Sequence, residues 1–102
     1  MTTKTTNMIS NKGNKIVNQF VIYTDNGSIF QSYNSTIVKI DSGKTYLDIN
    51  KWDYSKTTGK YRNMFLNENK KQTEQKIKSG EYILTDLNIA GTGADFNEDK
   101  IL

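Results

Sequence analysis

The tripeptide Asp25-Asn26-Gly27 sits between "IVNQFVIYT" (16–24) and "SIFQSYNSTIVKI" (28–40), and it constrains the fold more than any other stretch. Asn and Gly tolerate the positive φ of a tight hairpin turn, and both flanking runs are rich in β-branched and aromatic residues. Two antiparallel strands joined at this point are expected. The second run is expected to break or bulge near Asn34. "DSGK" (41–44) reads as another turn, leading into "TYLDI" (45–49) and completing an antiparallel meander of three to four strands. Along the first strand, Val17, Gln19, Val21 and Tyr23 alternate with Asn18, Phe20, Ile22 and Thr24. Both faces therefore carry apolar side chains, one expected to pack on helices and the other to be partly covered by a terminus or a partner.

The period then changes. Ser55 precedes "KTTGKYRNMFLN" as an N-cap whose hydroxyl can accept from an amide of the first turn. Tyr61, Met64 and Phe65, with Thr58 one turn earlier, fall on one helical face. Lys56, Lys60, Asn63 and Asn67 fall on another. Gly59 weakens the first turn. A second helix is expected over 68–78, "ENKKQTEQKIK", closed by Ser79 and a left-handed Gly80; Ile77 is its one strongly apolar member. "EYILTDLNI" (81–89) alternates as a strand that returns to the sheet. The fold class is α+β: a meander, a helical pair and a returning C-terminal strand. The domain organisation expected is a flexible basic arm (1–15), a single domain (16–89) and an acidic, Gly-containing tail (90–102).

Composition narrows the chemistry. The chain has 102 residues and a hydrophobic fraction of 34%, which suits one modest core. It contains no Cys and no His, so disulfides, thiolate metal sites, Cys nucleophiles and imidazole bases are all excluded. The N-terminal stretch carries no apolar run, so neither a signal peptide nor a membrane anchor is expected. No enzymatic activity, cofactor, metal site or membrane partner is expected.

Three motifs fail on inspection. "DSGKT" ends like a phosphate-binding loop, but Val38 stands where the opening Gly of that motif belongs. "DFNED" (95–99) begins like a calcium loop, yet Lys100 occupies the position of its obligatory Gly. Asp48 with Asp53, or Glu81 with Asp86, would make a carboxylate pair, with nothing nearby to supply a metal or raise a pKa.

Charge distribution points instead to binding. Residues 51–78 hold eight Lys/Arg against three acids, a net +5, whereas 79–102 carry a net −4. Ser55, Thr57 and Thr58 place hydroxyls and free amides at a helix start, where an anion is favoured. Lys56, Lys60 and Arg62 follow within about two turns, and Lys70 and Lys71 lie in the second helix. Such groups contact phosphates without reading sequence. Tyr33, Trp52 and Tyr54, with Tyr46, would add surfaces on which unpaired bases stack.

"FQSYNSTIVKIDSGKTYLD" followed by "WDYSKTTGKYRNMFLNE" resembles a family of small, functionally uncharacterised bacteriophage proteins, in which a Phe-Gln-Ser-Tyr strand precedes a Tyr-Ser-x-Thr-Thr helix start and a Phe-Leu helix end. The resemblance spans roughly residues 28–88. It implies a phage product in the cytoplasm of an infected bacterial host or in the virion, and it brings no mechanism. Three classes of function follow. The first is a nucleic-acid-binding protein using segment 51–78. The second is a module that binds and disables a host protein through the sheet face around Phe20, Ile22 and Phe30. The third is a virion accessory protein partnered by capsid proteins.

Overall fold

A computed structural model describes residues 4–88. The order of elements is β1 (Lys4–Ile9), β2 (Lys15–Thr24), β3 (Gly27–Ser32), β4 (Ser35–Asp41), β5 (Lys44–Asp48), α1 (Lys56–Leu66), α2 (Lys70–Ser79) and β6 (Tyr82–Thr85). The six strands form one mixed sheet in sequential order. β1 to β5 pair antiparallel, and β6 returns parallel to β5 after the helical crossover. The architecture is α+β, with more strands than the three or four expected in the meander.

Two local features account for the extra strands. Residues 4–9, part of the expected arm, have no hydrophobic run, but every second residue from Thr6 faces the helices, and Met8 is buried there. The run 28–40 divides at Tyr33, whose φ of 56° turns the chain by two residues into β4. Ile37 is then an extra residue opposite the Phe30/Gln31 step, a bulge that adds its side chain to the core.

The two turns read from sequence work differently. At 41–44, Ser42 and Gly43 both have positive φ, as a two-residue hairpin of the primed type needs. Gly27 does not have positive φ; its role is close approach, because a Cβ there would collide with the Ile40 carbonyl of β4.

The registers place Val21, Phe30, Val38, Leu47 and Leu84 in one row across β2 to β6, on the face that the helices cover. Phe65 of α1 stacks on Phe30 with ring centroids 5.7 Å apart. The Thr58 and Ser32 hydroxyls share a buried 3.0 Å hydrogen bond that fixes the first turn of α1 to the end of β3. The buried stripe of α1 is Thr58, Gly59 and Arg62, with Phe65 and Leu66 behind them. Of the expected face, Thr58 is buried and Tyr61 and Phe65 pack against the core, whereas Met64 is 41% exposed, so the buried stripe is rotated toward Arg62. The rotation follows from Arg62, whose guanidinium finds partners inside and draws its side of the helix inward. On α2, Asn69 makes a reciprocal capping box with Gln72, and Gly80 closes the helix at φ 88°.

Candidate nucleic-acid interface

Antiparallel pairing brings three connections to the end of the sheet where β2 begins: the β1–β2 turn, the β3–β4 turn and the segment 49–55 leaving β5. α1 starts at this same end. Lys12 and Lys15, Tyr33, then Lys51, Tyr54, Lys56 and Lys60 are gathered there from three separate stretches of the sequence. Lys12 of the β1–β2 turn and Lys60 of α1 line a single groove with Ser10, Ile16, Tyr61 and Met64. A second cleft lies at the first turn of α1, walled by Asp53, Ser55, Lys56, Lys60, Arg62 and Lys70. Lys60 belongs to both and joins them.

The expected binding residues divide into those that face solvent and those whose polar groups are taken up within the fold. Lys56, Thr57, Lys60 and Lys71 are exposed. Ser55 is the N-cap of α1, and its Oγ accepts from the Thr58 amide at 3.1 Å. Thr58 is buried. Arg62 is only 1% exposed: it donates to the Trp52 carbonyl at 2.6 Å, to Asp53 at 3.3 Å and to the Asn63 side chain at 2.9 Å. Its guanidinium also lies over the Trp52 ring at 5.2 Å. Lys70 reaches the second Asp53 oxygen at 2.7 Å.

Asp53 organises this cleft. Partial burial alone would push its carboxyl up; hydrogen bonds from Lys70 and Arg62, then their charges, outweigh that effect and hold it below the usual carboxylate range. The hydrogen bond to Asp53 in turn raises the Lys70 ammonium. Gly59 faces the same group, with an added Cβ 3.6 Å from the Arg62 guanidinium, so the floor of the cleft carries no side chain at that point.

Of the stacking residues, Tyr33 and Tyr54 are about half exposed at the sheet end, and the Lys51 ammonium lies 5.5 Å from the Tyr54 ring centre. Trp52 is partly buried against the core beneath Arg62. Tyr46 lies on the far face of the sheet, in register with Lys39 and Ile83. Phe30, expected on an exposed face with Phe20 and Ile22, belongs to the opposite, helix-covered face and is fully buried; strand alternation requires this once Val21 pairs with Phe30. Ile29 takes its place beside Ile22.

A second polar cluster has no counterpart in the sequence reading. Glu68, in the link between the helices, accepts from Thr73 at 2.5 Å, Lys76 at 2.8 Å and Tyr82 at 2.9 Å. Burial pushes this carboxyl up, and the three hydrogen bonds more than reverse it. The Tyr82 hydroxyl is pushed up by burial and by its bond to Glu68. The spacing Glu68/Thr73/Lys76 hints at one helix face, but Tyr82 is brought in by the strand that follows, which periodicity does not reveal.

Asp48 is also buried, and its carboxylate accepts from the Leu87 and Asn50 amides, a role that ties β5 to the chain beyond β6. Among the described residues no three Asp/Glu side chains gather in a way that would hold a metal ion, and no helix is long and apolar enough to cross a membrane. The "DFNED" stretch and the acidic tail lie outside the described residues.

Residues 3–81 match a family described as a family of unknown function, DUF8033. No curated protein and no solved structure matches the chain.

Proposed function

The chain belongs to the DUF8033 family, which supplies no activity, and we propose from the site itself that it is a non-enzymatic nucleic-acid-binding protein that grips phosphates at the basic end of its sheet. The observation that carries this reading is the groove shared by Lys12 and Lys60. Two basic stretches far apart in the chain converge on one surface. Exposed Lys56 extends that surface to the start of α1, where free amides and the helix dipole favour an anion. Tyr33 and Tyr54, at the same end, offer planes for unpaired bases. Arg62 acts inside the protein, holding Asp53 and Trp52 so that the cleft keeps its shape.

The likeness to bacteriophage proteins supports placing this activity in an infected bacterial cell or in the virion. A second reading, capture of a host or capsid protein, draws on the sheet face away from the helices, where Phe20 and Ile22 are half-buried without a covering element among the described residues.

Fluorescence anisotropy with labelled single- and double-stranded oligonucleotides tests the reading. If Lys12, Lys56 and Lys60 each meet a phosphate, affinity falls roughly twenty- to fortyfold between ~50 and ~200 mM salt, a log–log slope of about −2 to −3. Replacing all three by Gln flattens that slope and leaves the melting temperature unchanged. Absence of binding at ~50 mM salt, or a slope untouched by the substitutions, refutes it.

A further inference from the structure

Among the described residues, four other than glycine hold a positive φ: Asn18, Tyr33, Ser42 and Asn67. Asn tolerates this conformation well and Ser is small, whereas a bulky side chain is a poor choice for it. Tyr33 is therefore the anomaly, at φ 56°. Tyr33 and Asn34 alone join β3 to β4, so the residue type that the position favours stands one place further along. Two hydrogen bonds hold the turn in spite of its cost. The Tyr33 amide donates to the Asn18 carbonyl at 2.7 Å, and the Tyr33 carbonyl accepts from the Gln31 side chain at 2.8 Å. The ring gains little from the fold in return: it is 49% exposed, and among the described residues no hydrogen bond or ring contact engages it. An exposed aromatic held in a strained turn that would suit a smaller residue points to a task outside the fold.

Tyr33 has a counterpart in Tyr54, which is 48% exposed at the same end of the sheet. Lys51 ties together the two segments that carry these rings. Its ammonium donates to the Ser35 hydroxyl at 3.0 Å, two residues beyond Tyr33, and stands 5.5 Å from the Tyr54 ring centre. An ammonium has three donors, and Ser35 takes one. A cation is thus pinned in place, with an exposed ring supplied by each of the segments it connects.

This arrangement matches an unpaired strand better than a duplex. In a single strand a phosphate lies between successive bases, and every base has a face that can stack on an aromatic side chain. In a duplex those faces are already covered by neighbouring base pairs, leaving phosphates and groove edges to contact. Two exposed rings would then have nothing to stack on.

We propose, resting on the phosphate-binding reading above, that the ligand is a single-stranded nucleic acid, held by a phosphate on Lys51 and by unpaired bases stacked on Tyr33 and Tyr54. Tyr33 and Lys51 select the single strand, while Lys12, Lys56 and Lys60 contact phosphates of either form.

Three ligands of equal length separate these contributions: oligothymidylate, its duplex with oligoadenylate, and a strand whose abasic sites keep the phosphates and remove the bases. At ~50 mM salt the protein is expected to bind oligothymidylate at least about fivefold more tightly than the abasic strand. Tyr33→Asn is expected to remove most of that preference, to leave duplex affinity unchanged, and to keep or raise the melting temperature, since Asn suits the turn. Tyr33→Phe keeps the ring and is expected to keep the preference. Lys51→Gln is expected to weaken both single strands and to flatten their salt slope by about 0.7. Equal binding of the thymidylate and abasic strands overturns the proposal and leaves the phosphate reading intact. So does a Tyr33→Asn variant that discriminates as the parent does, or a Lys51→Gln variant that binds as the parent does. A lower melting temperature in Tyr33→Asn would assign the ring to the fold, with the same result. No binding of any of the three ligands at ~50 mM salt would refute both the proposal and the reading beneath it.

Discussion

Asp53 and Glu68 stand fifteen residues apart in the same basic segment, and each gathers lysine from it, yet the two carboxylates build different things. Around Asp53 the partners are two cations, Arg62 and Lys70, so the cluster keeps a net positive charge. Its carboxylate is 32% exposed, and Gly59 leaves the cleft floor low. Around Glu68 a single lysine is joined by two neutral hydroxyls, the charges cancel, and the carboxylate is 4% exposed. One centre leaves cationic groups facing solvent, while the other closes the joint between α2 and β6. The difference lies in what fills the remaining lone pairs: charge leaves an open, basic margin, whereas hydroxyls from the core allow closure.

The largest effect is expected at Arg62. It is the member of the Asp53 cluster that is fully inside, and Arg62→Ala removes its bonds to the Trp52 carbonyl, Asp53 and Asn63 together with its contact with the Trp52 ring. A loss of about 3 kcal/mol is expected in urea denaturation, within the range for breaking a buried ionic partner and leaving space behind. A variant as stable as the parent would show that Arg62 is held loosely and would return it to the set of phosphate ligands.

Next in size is the contrast between the two acids. Glu68→Gln exchanges charge-assisted bonds inside the fold for neutral ones and is expected to cost roughly 1–2 kcal/mol. Asp53→Asn, at a more exposed site, is expected to cost less than about 1 kcal/mol. Acid titration of stability sharpens the comparison. Both carboxyls sit below their ordinary pKa in the folded protein. Each therefore contributes stability that is present above the unfolded value, near 4, and is lost as pH falls through the depressed folded value. Stability measured from about pH 5 downward is expected to fall less steeply in either variant, with the greater flattening in Glu68→Gln. Equal flattening would mean that the two centres are equally enclosed.

How much of this was readable beforehand follows the range of the interactions. The hairpins at 25–27 and 41–44, Ser55 as a cap and Gly80 as a stop are local, and the residues themselves declare them. β1 was hidden because an edge strand whose buried residue is Met8 has little alternation to read. Arg62 was misplaced because helical periodicity treats an arginine as exterior, and only the carbonyl of Trp52 and the carboxylate of Asp53, contributed by the loop before the helix, make an interior position tolerable. The meeting of Lys12 with Lys60 is a consequence of sheet order. A count of charges along the chain finds both basic stretches but has no means of joining them.

The smallest effect concerns the charge that Asp53 withholds. The Lys70 side chain is 51% exposed, and its ion pair contributes little to folding. Lys70→Ala is expected to leave the denaturation midpoint unchanged, and to alter oligonucleotide affinity less than Lys56→Ala, because Asp53 already neutralises this ammonium. Asp53→Asn runs the argument in the other direction. Removing the negative charge from a cleft that Lys56 and Lys60 also line strengthens its attraction for phosphate, by on the order of two- to fivefold at ~100 mM salt for a change of up to ~1 kcal/mol near the surface. The gain should shrink as salt rises, since screening weakens the repulsion that Asp53 had supplied. Tighter binding by Asp53→Asn beside an unchanged Lys70→Ala would make Asp53 the group that limits the basic end; weaker binding would mean that Asp53 serves the ligand indirectly, by holding Arg62 and the start of α1 in place.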